Sequence, residues 1–401
     1  MKGMSVAVNF RNRIDQLQQK MVEHDLDLVV YGTSADFQYL TGLVSDWRYH
    51  RGQMAEALNN LLVPREGTPI LTLAEDPGQV HPWVTEVRVF TDMMSIIKGE
   101  GYSDFVRNAI RDLGVTISKV GLGNHVMGLP VVEIEKLFPH VTFTDASTFT
   151  ATMRMIKEAE EIEQLRKVGQ LTDNVLEYLV PKICKGVTQN QLELEAEFYA
   201  RGHGASHVSF PPTVGFVKSG SQVHPREIQH PDVANPYTYA KHEGLEPGSS
   251  IAFDLGFVLG GYASDFGRSF YLGLARKEFR EGYAALHHAV LETADNMSDG
   301  SMRVCDLYPS VEKVLDRLGY GNQFRKRLPM RVIGHNIGIE VHEPPWLAPE
   351  LDVPLREGMV VALEPKLWDV GEYYLRVEDM ILIGSRKAEF LTNFDRQLFQ
   401  L

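Results

Sequence analysis

The 401-residue sequence holds only two cysteines, Cys184 and Cys305. That is too few for a disulfide framework. Both lie in segments that read as helical with apolar neighbours, so they are expected to be buried free thiols in a reducing compartment. No run of about 18 apolar residues occurs, which argues against a membrane-spanning helix, and Met1 to Arg13 has no apolar core of signal-peptide length. No glycine-rich phosphate loop follows any strand-like run, so nothing supports nucleotide binding. Basic runs are scarce, the longest being Arg325-Lys326-Arg327, and a formal charge of -13 with a pI near 5.6 leaves no basic face for a nucleic acid. The expectation is a soluble, cytoplasmic protein with neither a nucleic-acid nor a membrane partner.

What the chain does have is length and apolar content. With 401 residues, 44% of them hydrophobic, it exceeds the size at which one core stops growing, so two domains are expected. Phe10, Ile14, Leu17 and Met21 recur at helical spacing. Strand-like runs follow at Asp27 to Tyr31, Pro69 to Leu73, Val87 to Phe90 and Lys119 to Leu122, with helical patterns at Ser103 to Leu113 and Val131 to Leu137. Alternating strands and helices predict an α/β domain over residues 1–152.

From residue 153 the texture changes. Ile162, Leu165, Val168, Leu171, Val175 and Leu179 line one face of a charged helix over Lys157 to Val180, and Thr188-Gln189-Asn190-Gln191 fits a capping box. A strand-like Ser209 to Phe216 leads into an aperiodic stretch, Lys218 to Pro247. Ser250 to Phe253 and Gly261 to Tyr271 then read as two strands joined by a Gly256 to Gly260 turn. A helix pair, Phe279 to Met297 and Cys305 to Leu318, precedes strand-like Val332 to Ile339, Met359 to Glu364 and Tyr374 to Ile383. Paired helices against paired strands predict an α+β domain over 153–401.

Four acids in this second domain sit in or beside apolar runs: Asp254 in Ala252-Phe253-Asp254-Leu255-Gly256, Asp265 in Tyr262-Ala263-Ser264-Asp265, Glu364 in Leu363-Glu364-Pro365 and Glu378 in Arg376-Val377-Glu378-Asp379. An unpaired buried ion costs several kcal/mol, so converging acids need cations to neutralise them. Asp254 and Asp265, eleven positions apart on neighbouring strands, would stand side by side. Taken alone they fit a hairpin with one buried and one exposed acid equally well. His335, between Gly334 and Gly338, offers an imidazole, a common partner of carboxylates around zinc, manganese or iron, although a lone strand histidine is more often a core residue. Arg376 and Glu378 share a strand face, which suits either a simple ion pair or an arginine that orients a metal-binding acid.

The five settings, in this order, resemble the metallopeptidase family that contains proline dipeptidase, aminopeptidase P and methionine aminopeptidase, with metal-free creatinase as a relative. Its pattern is an Asp in D-x-G, a second Asp after G-Y, a His in G-H-x-x-G, a Glu in E-P and a Glu in R-x-E-D, and each is met here. Tyr39-Leu40-Thr41-Gly42, Arg154, Lys157 and Glu161 extend the likeness outside the site. The resemblance implies a pita-bread catalytic domain behind a smaller creatinase-like α/β domain, usually assembled as a homodimer. It implies two divalent ions, manganese first, with cobalt, iron or zinc as alternatives. Asp265 and Glu378 would bridge them, Asp254 would complete one site, and His335 and Glu364 the other. Glu364 would take a proton from water and pass it to the leaving nitrogen, His342 would hold the substrate or its tetrahedral intermediate, and Arg376 would orient the acids.

Two positions depart from the family. Lys366 follows Pro365 where the family carries glycine, and Arg331 stands four residues before His335 in place of a histidine. Each either binds a substrate carboxylate or points to solvent. Among His207, His224, His230 and His242, the Ser219-Gly220 ahead of His224 makes it the candidate for the leaving-group pocket. The cluster Trp47 to Arg51 reads as an exposed loop or as a reach toward a partner subunit. The expected activity is hydrolysis of the bond before proline in short peptides. The alternatives are a non-peptide small molecule, cleaved by C–N hydrolysis or a lyase reaction, and a binding module without catalysis.

Overall fold

The computed structural model describes residues 9–44, 47–48, 54–78, 86–98, 100–218, 244–326, 331–369, 373–398 and 400–401. It forms two compact units, Ala7–Arg154 and one built on Met155–Leu401, so the division falls after Arg154.

In the first unit, a sheet of six strands among the described residues runs in the order β4-β3-β2-β1-β5-β6. Its strands are β1 Leu28–Gly32, β2 Asn60–Pro64, β3 Ile70–Leu73, β4 Glu86–Val89, β5 Lys119–Leu122 and β6 Thr142–Asp145. Every residue of β1 is buried, as an unbroken apolar run requires when both faces of a sheet are covered. Leu28 and Val30 pack with Val106, Ile110 and Ile134 of the helices Tyr102–Arg111 and Gly128–Leu137. The sequence pattern missed β2, β6 and the helices Ala35–Thr41 and Ser147–Met153, all too short to show a period.

The second unit carries a larger sheet, nine strands among the described residues, ordered β14-β13-β15-β17-β12-β9-β8 with β16 and β18 also on β17. These are β8 Thr213–Lys218, β9 Ser249–Leu255, β12 Phe266–Leu272, β13 Gly334–Asn336, β14 Glu343–Trp346, β15 Val360–Leu363, β16 Lys366–Asp369, β17 Tyr373–Leu382 and β18 Glu389–Phe390. Val377 and Ile381 pack under the helices Lys277–Asp295 and Val304–Arg317. Met380 and Leu382 pack under Ala159–Leu179 and Gln189–Gly202. β17 therefore buries both faces, and its alternation distributes side chains between two apolar cores. The predicted capping box holds, with Gln191 N donating to Thr188 Oγ1 at 3.2 Å and Thr188 N to Gln191 Oε1 at 2.9 Å.

Two expectations are corrected. Neither cysteine is buried: Cys184 is exposed and Cys305 half-buried, both free. Cys184 lies beyond the helix Ala159–Leu179, between the short turn of helix that holds Pro181 and the Gly186 turn. Nor do residues 256–260 form a plain turn. β10 Phe257–Leu259 and β11 Tyr262–Ala263 make a separate small hairpin, sheet order β11-β10-β7 with β7 His207–Val208, whose tip is Gly260 and Gly261 at φ 60° and 85°. The two arms approach closely at its base: a Cβ on Gly256 would sit 2.4 Å from the Ser264 carbonyl oxygen, so only glycine fits. Among the described residues no helix is long and apolar enough to cross a membrane.

Candidate metal centre

Strand register builds the centre. On β12, Gly267 faces Asp254 of β9 on one side and Glu378 of β17 on the other. Directly opposed residues point to one face, so both acids rise on either side of a residue without a side chain, and Asp265, two positions earlier, leans onto the same face. Arg376, two before Glu378, fills the gap: a Cβ on Gly267 would lie 2.4 Å from its Nε. His335 on β13 pairs with Ala362 of β15, whose Leu363 pairs with Asp379 of β17, so Glu364, one step on, comes level with Glu378.

The result is a convergence of the five predicted residues. One ligand atom from each of Asp254, Asp265 and Glu378 lies within 4.8 Å of the others, and the same holds for His335, Glu364 and Glu378 and for Asp265, His335 and His342. His335 Nδ1 lies 3.1 Å from the Asn336 carbonyl oxygen, the partner for an Nδ1–H, which leaves Nε2 facing Asp265 Oδ2 at 3.3 Å. Arg376 donates to Glu378 Oε2 at 2.9 Å, to Glu364 Oε2 at 3.2 Å and also to Asp254. Burial, followed by the neighbouring acids, pushes the Asp265 carboxyl well above the usual carboxylate range; burial does the same to Glu378 against the pull of Arg376.

A cation fits this donor set on an observation internal to the protein. Asp254 Oδ1, Asp265 Oδ1 and Glu378 Oε1 are buried and take no hydrogen bond from the described residues. Three carboxylate oxygens without donors would each carry a desolvation penalty, and a divalent ion between them removes it. Carboxylates with one imidazole suit manganese, iron, cobalt or zinc.

His342 edges the centre, its ring 4.5 Å from that of His335 and 5.1 Å from that of Trp346. Desolvation and the neighbouring His335 lower its pKa to about 4, so the imidazole is neutral at pH 7 and free to accept as well as donate. Lys366 does not point to solvent. It is 2% exposed, and its Nζ donates to Glu364 Oε2 at 2.5 Å. Arg331, by contrast, is exposed and pairs with Glu350 at the surface rather than with the acids. His224, with His230 and His242, lies outside the described residues, as do Tyr49, His50 and Arg51; His207 is on β7.

Sequence reasoning overlooked the supports. Gly267 admits Arg376, and a glycine inside an otherwise apolar strand was the available signal. Arg268 Nη1 donates to the Glu378 carbonyl oxygen at 2.6 Å and its Nη2 to Asp379 Oδ1 at 2.6 Å. Lys157 and Glu343 pair at 3.2 Å, both 1% exposed, beneath the loop that carries His342. Gly338 leaves room for that carboxylate, since a Cβ there would stand 2.7 Å from it.

Residues 163–385 match Metallopeptidase family M24, and residues 13–156 match the Creatinase/Prolidase N-terminal domain. An Xaa-Pro dipeptidase of Lactobacillus delbrueckii subsp. lactis is 27% identical over 396 residues, covering 96% of this chain and 98% of that protein. A putative dipeptidase of Bacillus subtilis is 26% identical over 400 residues, covering 97% and 100%. Among solved structures, an Xaa-Pro dipeptidase from Bacillus anthracis superposes with a TM-score of 0.79 at 22% identity, covering 98% of this chain and 100% of that one. A prolidase from Thermococcus sibiricus gives 0.78 at 23%, with the same coverage. The two-domain architecture expected from the sequence is the one these structures share. With its catalytic unit matched over more than half of the sequence, the chain belongs to metallopeptidase family M24.

Proposed function

We propose that this metallopeptidase cuts the amide bond before proline in short peptides, using a dinuclear centre held by Asp254, Asp265, His335, Glu364 and Glu378. The observation that carries the reading is the convergence of those five residues, four buried and Asp254 half-buried, with three buried carboxylate oxygens lacking any donor among the described residues. Asp254, Asp265 and Glu378 form one ligand set and His335, Glu364 and Glu378 a second, joined through Glu378. Asp265, within reach of both, would be the other bridge. Bound there, divalent ions supply an activated water and polarise the scissile carbonyl.

The protein's own groups do the rest. Glu364, at the mouth of β15 and only 7% exposed, is placed to take a proton and return it to the leaving nitrogen. Neutral His342 can donate to a developing oxyanion or hold the peptide, with Trp346, 41% exposed beside it, as an apolar wall. Arg376 fixes the acids through its bonds to Glu378 and Glu364. Support for the substrate comes from relatives named Xaa-Pro dipeptidase and prolidase. The resemblance extends the proposal to manganese, to a homodimer and to the cytoplasm.

The test is turnover by metal-stripped protein reloaded with manganese, cobalt, iron or zinc, offered Xaa-Pro dipeptides, longer Xaa-Pro peptides and matched peptides without proline. Cleavage confined to bonds before proline is expected. Metal binding with no cleavage across the panel would favour the second reading, a non-peptide small molecule handled by C–N hydrolysis or a lyase step. The buried Lys366 is the observation that argues for it.

A further inference from the structure

Glu343 opens β14 directly after His342, and across the strands it pairs with Asn336 of β13, the residue after His335. The loop of residues 337–342 closes on its carboxylate: Oε1 accepts from Glu340 N at 3.2 Å, and a Cβ on Gly338 would stand 2.7 Å from Oε2. Oε2 also takes the Lys157 ammonium at 3.2 Å, and both side chains are 1% exposed. Lys157 is anchored in turn through its backbone N–H, which donates to the Gly358 carbonyl oxygen at 2.9 Å, just ahead of the helix Ala159–Leu179. The Met155 carbonyl oxygen accepts from Lys157 Nζ at 3.4 Å and from Asn336 Nδ2 at 3.3 Å, and the same Nδ2 donates to the Pro344 carbonyl oxygen at 3.1 Å. One buried ion pair thus ties the segment 155–157 to the strand that carries His335 and to the loop that carries His342.

We propose that Lys157 and Glu343 are positioning residues for His342. The ammonium fixes the buried carboxylate, the carboxylate fixes the loop backbone at Glu340, and the loop holds the His342 ring 4.5 Å from that of His335. Without the cation the carboxylate would be an uncompensated buried charge. Water can reach it only if the loop moves away, because Gly338 lies against it. Neither residue belongs to a ligand set, so the pair acts on the group that meets the substrate and not on the ions. The inference rests on the role given to His342 above and deepens it, assigning the precision of that role to a charge pair that touches no substrate.

The experiment pairs hydrogen exchange on metal-free full-length protein with kinetics on the manganese-loaded enzyme, for the wild type, Lys157→Met, His342→Ala and the double variant. In Lys157→Met the amides of residues 338–342 should exchange roughly 10-fold faster or more, while those of the helix Lys277–Asp295 keep their wild-type rates. Its manganese content should equal that of the wild type, and kcat/KM on an Xaa-Pro dipeptide should fall by about 100-fold, the cost of misplacing a group by about 1 Å. In the His342→Ala background the same substitution should cost less than about threefold, because the group it positions is gone. Unchanged loop exchange in a folded Lys157→Met overturns the proposal, since the carboxyl has then taken a proton with the loop in place. Losses that multiply in the double variant, or a loss of manganese, overturn it too, since the pair then acts on the fold or the ions. Faster loop exchange with no peptide cleaved by the wild type overturns the peptidase reading and sustains the pair as the anchor of the His342 loop. Should Lys157→Met fail to fold, Glu343→Gln, which keeps the side-chain length and loses the charge, decides by the same comparisons.

Discussion

Glu378 and Asp379 are neighbours on β17, both acids, both 0% exposed, and they differ in the cations around them. Asp379 Oδ1 takes hydrogen bonds from Arg268 at 2.6 Å and Thr392 Oγ1 at 2.9 Å, and Arg396 Nε stands 3.7 Å from its second oxygen. Glu378 takes two hydrogen bonds on Oε2, both from Arg376, a guanidinium it shares with Asp254 and Glu364; among the described residues each acid has one buried oxygen without a donor, Glu378 Oε1 and Asp379 Oδ2, so the two differ in cations per acid. One acid is neutralised by the fold itself. The other shares its cation among like charges, and either an ion from outside or the proton that burial favours on it relieves the excess. A buried carboxylate thus marks function not by its burial but by the mismatch between acids and cations around it.

The widest split between the two should appear in catalysis. Asp265→Ala or Glu378→Ala is expected to lose bound metal, by elemental analysis, and at least about 10³-fold in turnover, several kcal/mol of lost electrostatic stabilisation. Asp379→Asn should keep its metal. Stability should divide them the other way. In metal-free protein, Asp379→Asn strands Arg268 in the interior and should cost about 3–5 kcal/mol in denaturant unfolding. Glu378→Gln removes an excess charge and should raise stability, on the order of 1 kcal/mol. If both substitutions destabilise the metal-free protein alike, Glu378 is as well satisfied as Asp379 and the contrast fails.

A third acid sharpens the scale. Asp173, on the helix Ala159–Leu179, accepts from the backbone N–H groups of Asn393 at 2.7 Å and Phe394 at 3.0 Å, yet burial still raises its pKa from 3.8 to about 6. The folded protein therefore holds a proton there that the unfolded chain releases. The linked stability is fully present below pH 3.8 and is lost as pH rises through about 6. Between those limits the unfolding free energy of the wild type, relative to Asp173→Asn, should fall with rising pH by on the order of 3 kcal/mol and then level off. A flat difference curve would mean that two amide donors suffice to keep a buried carboxylate ionised.

Much of this was legible in the sequence, and the rest was not for identifiable reasons. Asp254, Asp265, His335, Glu364 and Glu378 stood out because acids inside apolar strands contradict the local pattern, and contradiction is easy to see. The helix Ala159–Leu179 and the Thr188 cap were readable because helical period and capping are local properties. Arg268 looked like an ordinary strand residue, since its partners Glu378 and Asp379 are over a hundred positions away. Lys366 and Arg331 looked alike, yet one is sealed inside β16 and the other pairs at the surface. That difference depends on which strand comes to lie beside β17, which no local pattern records. The hairpin at 257–263 was misread for a similar reason, because the close approach of the two arms at Gly256 leaves no signal beyond the glycine.

The finest test of the contrast concerns Thr392, whose hydroxyl donates to Asp379 Oδ1 at 2.9 Å and accepts from Met380 N at 3.1 Å. Valine keeps the shape and deletes both bonds, while Arg268 remains to neutralise the charge. Thr392→Val should therefore cost only about 1–3 kcal/mol, less than Asp379→Asn, with unchanged manganese affinity by titration. A loss equal to that of Asp379→Asn would mean that the hydroxyl, and not the guanidinium, is what satisfies the acid. A drop in manganese affinity would mean that donors on Asp379 reach Glu378 through one peptide unit. Adjacent acids would then form one electrostatic group, and their separation into a structural and a metal-binding residue would have to be given up.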